Sequence, residues 1–183
     1  MKEQYFKLLL ALCLSFWLGG VSANDLRHFI DEGLGRDVEP KSMEEIKEIF
    51  GKYGASSREI WLKIKQVVEG KIQDPYSDEM YKELGGYIIE LSIVPGGGDE
   101  TDAKIIEYLL SRGVDPFQKN LFGTIPIFNA VILEDPVSLP IMLEDSKDNN
   151  YEYIVNLRDL SGIEKKNKSL DILNNYLDKK LGK

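Results

Sequence analysis

The segment from residue 105 to residue 130 constrains the fold more than any other part of this chain. It opens with an apolar helical stripe at 105–110, and this stripe stops at Gly113. The residues up to Gly123 suit an extended hairpin, and Pro126 then falls where the first turn of a new helix can accept it. This order of helix, glycine stop, hairpin and proline-opened helix predicts paired helices joined by hairpin loops.

Two capping boxes predict further helices in the N-terminal half. Ser42 and Glu45 form one box, and Ser56 and Glu59 form the other. The second box precedes the strongest apolar stripe, made of Ile60, Trp61, Ile64, Val67 and Val68. A third stripe consists of Leu84, Tyr87, Ile88 and Leu91. Strand-like alternation is scarce, so the sequence predicts an all-α protein with hairpin loops.

Part of the pattern recurs along the chain. Four apolar positions repeat 33 residues later: Ile106, Tyr108, Leu109 and Leu110 recur as Leu139, Ile141, Met142 and Leu143. The hairpin at 116–123 aligns with 155–162, but the glycines that end these segments are 39 residues apart. The difference of about six residues predicts an insertion within 145–153, which would expand the second hairpin.

From about residue 80 to the C-terminus, the chain resembles a short ankyrin-repeat stack. Residues 113–115 are similar to that family's Gly-Ala-Asp helix stop, and residues 123–130 are similar to its Gly-x-Thr-Pro-Leu-His-x-Ala start. Ile125 replaces the threonine and Phe128 replaces the histidine, so apolar packing should substitute for the usual hydrogen bonds between repeats. The resemblance implies one helical domain, with ankyrin-like repeats at 75–183 and an N-terminal helical cap at 24–74.

The first 23 residues have the pattern of a cleaved signal peptide. Lys2 and Lys7 precede an apolar run of 11 residues, and Ala23 ends a small-residue cleavage motif. An uncleaved anchor is less favoured, because 11 helical residues fall short of a hydrocarbon core of about 30 Å. The sequence therefore predicts an exported protein, periplasmic or alternatively secreted, which loses its one cysteine, Cys13, with the signal peptide.

The charge balance restricts the class of partner. The predicted signal peptide carries Lys2, Lys7 and Glu3, so the net charge of the remaining residues is about −9, against −8 for the whole chain. This charge repels nucleic acid and anionic lipid, and it favours basic or neutral protein partners. After the signal peptide no apolar run is long enough to cross a membrane, so membrane insertion of the mature chain is not expected.

Catalytic, cofactor and metal sites are not predicted. His28 is the sole histidine, so the chain offers neither a histidine metal set nor a Ser-His-Asp triad. The acidic segment 145–152 lacks the glycine and the spacing of a calcium loop, and the glycines at 96–98 suit a flexible turn better than a phosphate cradle. Catalysis by paired carboxylates alone stays open but is less favoured than a solvated acidic surface.

Hairpin aromatic residues and their acidic neighbours are the predicted partner-binding residues. The resemblance implies binding through hairpin tips and the adjoining inner helix face, and aromatic side chains suit interface cores. The alternative is that they pack beneath their own hairpins. Acidic neighbours would steer a basic partner. The predicted set is Phe117, Phe122, Asp145, Asp148, Tyr151, Glu152 and Tyr153.

These features together predict a binding protein and not an enzyme. The most specific hypothesis is a periplasmic immunity protein that neutralises a toxin delivered by a neighbouring cell. One alternative is a periplasmic scaffold or oxidative-stress protective factor, resembling the ankyrin proteins found beside catalases. Another is secretion beyond the cell to bind a host protein.

Overall fold

The computed structural model describes residues 23–39 and 41–182, and within those ranges the fold is all-α. The described residues form nine α-helices and one short 3₁₀ turn, with no β-strand among them. The helices are α1 Ala23–Gly33, α2 Met43–Lys52, α3 Ser57–Val68, α4 Asp78–Ser92, α5 Glu100–Ser111, α6 Pro126–Ile132, α7 Ser138–Glu144, α8 Tyr151–Ile163 and α9 Asn167–Lys180. The all-α fold predicted from helical periodicity is confirmed.

Seven of these helices pack as two rows. The outer row contains α3, α5, α7 and α9, and each of these helices contacts the next one in the row. The inner row contains α4, α6 and α8, which contact one another in the same way. Each inner helix packs against the outer helix that follows it in sequence. The core lies between the rows and is fully buried at Ile88, Ile106, Phe128, Met142, Leu157 and Leu173. Helix pairs therefore stack along one axis, which is a repeat-like all-α arrangement.

Local signals place the helix ends where the sequence predicts them. Ser42 and Ser56 both form complete capping boxes at the starts of α2 and α3. Gly113 follows α5 with φ +83°, a backbone conformation that glycine accepts without steric cost. Pro126 stands in the first turn of α6, where its missing N–H is no loss.

The 33-residue recurrence corresponds to two neighbouring outer helices. Ile106 and Leu109 of α5 are buried, as are Leu139 and Met142 of α7. The two helices pack directly against each other. Equivalent positions therefore bury equivalent faces in successive helix pairs.

The predicted second hairpin at 155–162 is wrong, because this segment lies within α8. Ile154, Leu157 and Leu160 recur every three residues and are buried, so helical packing determines the local structure. The predicted expansion at 145–153 is also absent. Residues 145–150 instead make a short link with a 3₁₀ turn at Asp148–Asn150.

The N-terminal segment 24–74 divides between two locations. Helices α2 and α3 lie beside the first inner helix, where Phe50 contacts the Tyr87 ring at 6.0 Å and Lys52 pairs with Glu83 at 3.1 Å. Helix α1 lies further along the inner row. Its Phe29 ring is 5.7 Å from that of Phe128 in α6 and 4.9 Å from that of Tyr153 in α8.

The predicted signal peptide lies outside the described residues, except that its last residue, Ala23, begins α1. Among the described helices, none combines the length and the apolar composition of a membrane span.

Candidate partner-binding surfaces

The loop between α5 and α6 holds the two predicted phenylalanines in different environments. The loop is closed by its own hydrogen bonds, including one from the Asn120 N–H to the Thr124 carbonyl at 2.8 Å. Phe122 packs on the Tyr87 ring of α4, with ring centroids 4.6 Å apart. Phe117 makes an edge contact with Tyr153 at 6.1 Å. Both side chains are half-buried. The alternative in which they pack against the protein therefore fits them better than the prediction that they are exposed at hairpin tips.

Tyr153 is covered by α1 instead of projecting from a hairpin. It lies in the first turn of α8, where its ring contacts Phe29. Its hydroxyl is buried and has no hydrogen-bond partner among the described residues. Burial raises the pKa of the Tyr153 phenol, and the nearby charge of Glu32 raises it further. The Tyr153 ring is therefore partly buried, and its hydroxyl is fully buried, while α1 is docked.

A close approach between Gly33 and Phe128 fixes the position of α1. A Cβ atom at Gly33 would lie 2.2 Å from Cδ2 of Phe128, so no larger residue fits there without movement. The Ile125 N–H donates to the Gly33 carbonyl at 3.1 Å. Ile125 and Phe128 are the two positions that depart from the ankyrin pattern. Both are buried, and both contact the end of α1.

Tyr151 belongs to an exposed groove at the last helix pair. The Tyr151 side chain is 43 % exposed and that of Leu181 is 54 % exposed. They border a groove of about 300 Å³, hereafter the Tyr151 groove, formed by the start of α8 and the end of α9. Its lining consists of Lys147, Tyr151, Ile154, Tyr176, Lys180 and Leu181. The apolar floor of such a groove can bury an apolar side chain of a partner.

Polar contacts fix the walls of the Tyr151 groove. The Tyr176 hydroxyl and the Ser146 hydroxyl hydrogen-bond to each other, which joins α9 to the link before α8. The Lys180 ammonium lies 5.9 Å from the centroid of the Tyr176 ring. Lys147 pairs with Asp115 at 3.3 Å. The groove is therefore ordered by contacts within the chain.

The predicted acidic residues lie near this groove. Asp145 and Glu152 are exposed, on either side of the 3₁₀ turn. Although Asp145 is exposed, desolvation by neighbouring atoms raises the pKa of its carboxyl, and the charge of Asp115 adds to the rise, while Lys147 opposes it. The side chain of Asp148 lies outside the described part of the structure. Asp145 is thus close to Lys147 of the groove lining and Glu152 follows Tyr151 in α8, whereas Phe117, Phe122 and Tyr153 lie elsewhere.

Most of the groove was not predicted from the sequence. Tyr176 lies between Leu173 and Leu177 of the buried stripe on α9, and Lys180 and Leu181 follow that stripe. The available signal was that Leu181 is apolar one turn beyond Leu177, just where the helix ends. Only contact with α8 shows that this end of α9 borders Tyr151.

One buried and one half-buried carboxylate, neither predicted from the sequence to be functional, have structural partners. Asp135 is fully buried and accepts hydrogen bonds from the backbone N–H groups of Val94, Val137 and Ser138 at 2.9–3.0 Å. It joins the turn after α4 to the start of α7. Backbone donors of this kind explain the carboxylate without any catalytic role.

Glu90 of α4 lies between the inner helices. It accepts from the Thr124 hydroxyl at 2.5 Å and from the Asn129 amide at 2.7 Å. Burial raises the pKa of Glu90, and the hydrogen bonds from Thr124, Asn120 and Asn129 oppose that rise. These bonds connect α4 to the loop and helix of the next pair.

Comparisons with protein-family models, curated proteins and solved structures gave no match to this chain. Within residues 23–39 and 41–182, no group of three or more His, Cys, Asp or Glu side chains is placed to hold a metal ion.

Proposed function

We propose that this chain is a protein-binding module that holds one partner at the Tyr151 groove. The observation that carries the proposal is the exposure of Tyr151 and Leu181 beside an ordered concave surface. Tyrosine buries a large area with little loss of rotamer freedom, and it is enriched among residues that dominate binding energy. Apolar side chains that stay exposed around a groove are typical of interaction sites.

The charges around the groove specify the partner further. Asp145 and Glu152 contribute to the whole-chain charge of −8, which attracts a basic protein over long range. Lys147 and Lys180 line the groove but have contacts within the chain, with Asp115 and with the Tyr176 ring, so the groove itself offers mainly apolar contact. The fitting partner is therefore basic overall and presents an apolar side chain to the groove.

In its most specific form, the proposal is a periplasmic immunity protein that neutralises a toxin from a neighbouring cell. The support is the acidic surface together with the signal-peptide pattern of residues 1–23. A toxin that acts on an anionic target is commonly basic on its active face, and an acidic protein can cover that face by charge complementarity.

A matched pair of variants tests the proposal. The proteins of neighbouring open reading frames are expressed with the tagged full-length chain, and the dissociation constant of any captured partner is measured. Tyr151→Ala should weaken binding at least about tenfold, by roughly 1.4 kcal/mol or more, as expected for a central interface residue. Leu62→Ala is the control, because Leu62 is also 43 % exposed but lies on α3.

Protection is measured in cells that export the captured toxin to the periplasm. The wild-type chain and Leu62→Ala should restore growth, and Tyr151→Ala should not. Equal binding by both variants would contradict the groove as the site. A captured partner without any toxicity would contradict the immunity function while leaving protein binding intact.

A further inference from the structure

We propose that α1 is a displaceable internal ligand, and that the surface beneath it binds an amphipathic helix of a protein partner. This surface, the α1 seat, consists of Ile125, Phe128 and Tyr153. Its occupant in this structure is the segment 24–38. The α1 seat is a different surface from the Tyr151 groove, so the inference does not depend on the proposed function.

The docked α1 shows which helix the seat accepts. Leu26, Phe29 and Ile30 are buried, and Gly33 follows on the same face at a helical spacing of seven residues from Leu26. Phe128 leaves no room for a Cβ at Gly33. A partner helix therefore needs three apolar residues on one face, the middle one aromatic, and a glycine one turn later.

The hydroxyl of Tyr153 identifies a feature that α1 lacks. It is buried in the structure with α1 docked, yet it finds no hydrogen-bond partner among the described residues, which disfavours the docked state. A partner helix that places an amide or carboxylate oxygen against this phenol would satisfy it. Such a helix would bind the seat better than α1 does.

Charge supplies a second reason that α1 is not the best occupant. Glu32 lies in the last turn of α1, where the helix dipole disfavours a negative charge. Lys119 compensates from the opposite side, pairing with Asp37 at 2.6 Å and lying 3.9 Å from Glu32. When the segment 24–38 leaves the seat, the ammonium of Lys119 loses Asp37 and Glu32 and can pair with an acidic residue placed just beyond the end of a partner helix.

The linker to α2 makes α1 a tethered competitor. Residues 39–42 connect the docked segment 24–38 to α2, and a short tether holds a ligand at an effective concentration on the order of millimolar. Weakly binding helices are therefore excluded. Only a partner whose affinity for the seat exceeds that of α1 displaces it.

The test uses a fluorescent peptide with the sequence of residues 24–38 and full-length protein. Phe29→Ala weakens the docking of the chain's own α1, so the peptide should bind this variant at least about tenfold more tightly than it binds the wild type. Phe122→Ala is the matched control, because Phe122 packs on Tyr87 and should leave peptide binding as in the wild type. A peptide that itself carries Phe29→Ala should bind neither protein.

Equal peptide binding to Phe29→Ala and to the wild type, when circular dichroism shows that both are folded, would overturn the inference.

If Phe29→Ala does not fold, hydrogen exchange of backbone amides in the wild type tests whether α1 undocks. The central amides of α1 should then exchange at least about tenfold faster than those of α6 and α8. In Tyr153→Phe, which removes the unpaired hydroxyl, α1 exchange should slow. Exchange of α1 at the rate of α6 and α8 would overturn the inference.

Discussion

Glu90 and Asp74 are both carboxylates held by several donors, yet their pKa values shift in opposite directions. Burial raises the pKa of Glu90, and the hydrogen bonds that it accepts only oppose that rise. Burial also acts to raise the pKa of Asp74, but hydrogen bonds from the Tyr108 hydroxyl at 2.5 Å, the Tyr76 backbone and the Tyr81 hydroxyl outweigh it. The pKa of Asp74 therefore lies below its ordinary value of 3.8. Three donors reach each carboxylate, so the difference follows from the burial that dominates at Glu90 and from the guanidinium of Arg112, which lies 3.6 Å from Asp74 and lowers its pKa further.

The Glu90 shift predicts a pH-dependent loss of stability. A carboxyl whose pKa is raised in the folded state binds more protons there than in the unfolded chain, so stability falls as pH rises from its ordinary value of 4.5 through the folded-state pKa. The wild type should therefore lose stability relative to Glu90→Gln across that window. Urea unfolding of both proteins from pH 4 to pH 8 measures it.

The control for this comparison is Asp74→Asn. A lowered pKa adds stability that is complete above the ordinary value of 3.8 and is lost as pH falls through the folded-state pKa. The free energy of unfolding of the wild type should therefore exceed that of Asp74→Asn by a nearly constant amount from pH 5 to pH 8. A constant difference between wild type and Glu90→Gln over the same range would show that Glu90 does not titrate abnormally.

At the scale of the helix, two glycines illustrate why similar sequence signals have different meanings. Gly33 ends α1 against the ring of Phe128, whereas a Cβ at Gly162 in α8 would meet nothing within 4 Å. Gly162 suggested a hairpin stop by alignment with Gly123. The left-handed residue after α8 is instead Lys165, with φ 56°, and a lysine in that conformation leaves no recognisable signal. The buried stripe of α8 was the better guide.

Alanine at these two positions should therefore change stability in opposite directions. Gly33→Ala forces a methyl group into the Phe128 ring and should destabilise the fold by about 1–3 kcal/mol. Gly162→Ala adds a helix-favouring residue in open space and should stabilise it by about 0.4–1 kcal/mol. Urea denaturation at pH 7 measures both. Shifts of the same sign would contradict the packing of α1 on α6.

At the scale of the whole molecule, the sequence predicted the features that depend on near neighbours. The capping boxes at Ser42 and Ser56 and the left-handed Gly113 are set by contacts within a few residues, and all three are confirmed. The place of α1 depends on contacts between residues about a hundred positions apart, such as Phe29 and Phe128. No local sequence pattern specifies such a contact, so the sequence predicts only that α1 belongs to an N-terminal cap.

The same reasoning explains the outcome for the predicted binding residues. Tyr151 is an aromatic residue outside any predicted helix stripe, and it is exposed because it faces away from the core at the first turn of α8. The same sequence argument predicts Tyr153 as a binding residue, but two residues further along the helix it faces α1. Residue type does not distinguish Tyr151 from Tyr153, whereas their positions around the helix do.

The most direct test of this arrangement is the measurement of nuclear Overhauser effects between ring protons in a sample labelled at Phe and Tyr. Phe29 and Tyr153 have ring centroids 4.9 Å apart, and Tyr87 and Phe122, 4.6 Å apart, provide the internal reference. The docked α1 predicts cross-peaks for both pairs. A cross-peak for the reference pair without one between Phe29 and Tyr153 would contradict the packing of α1 against the inner row.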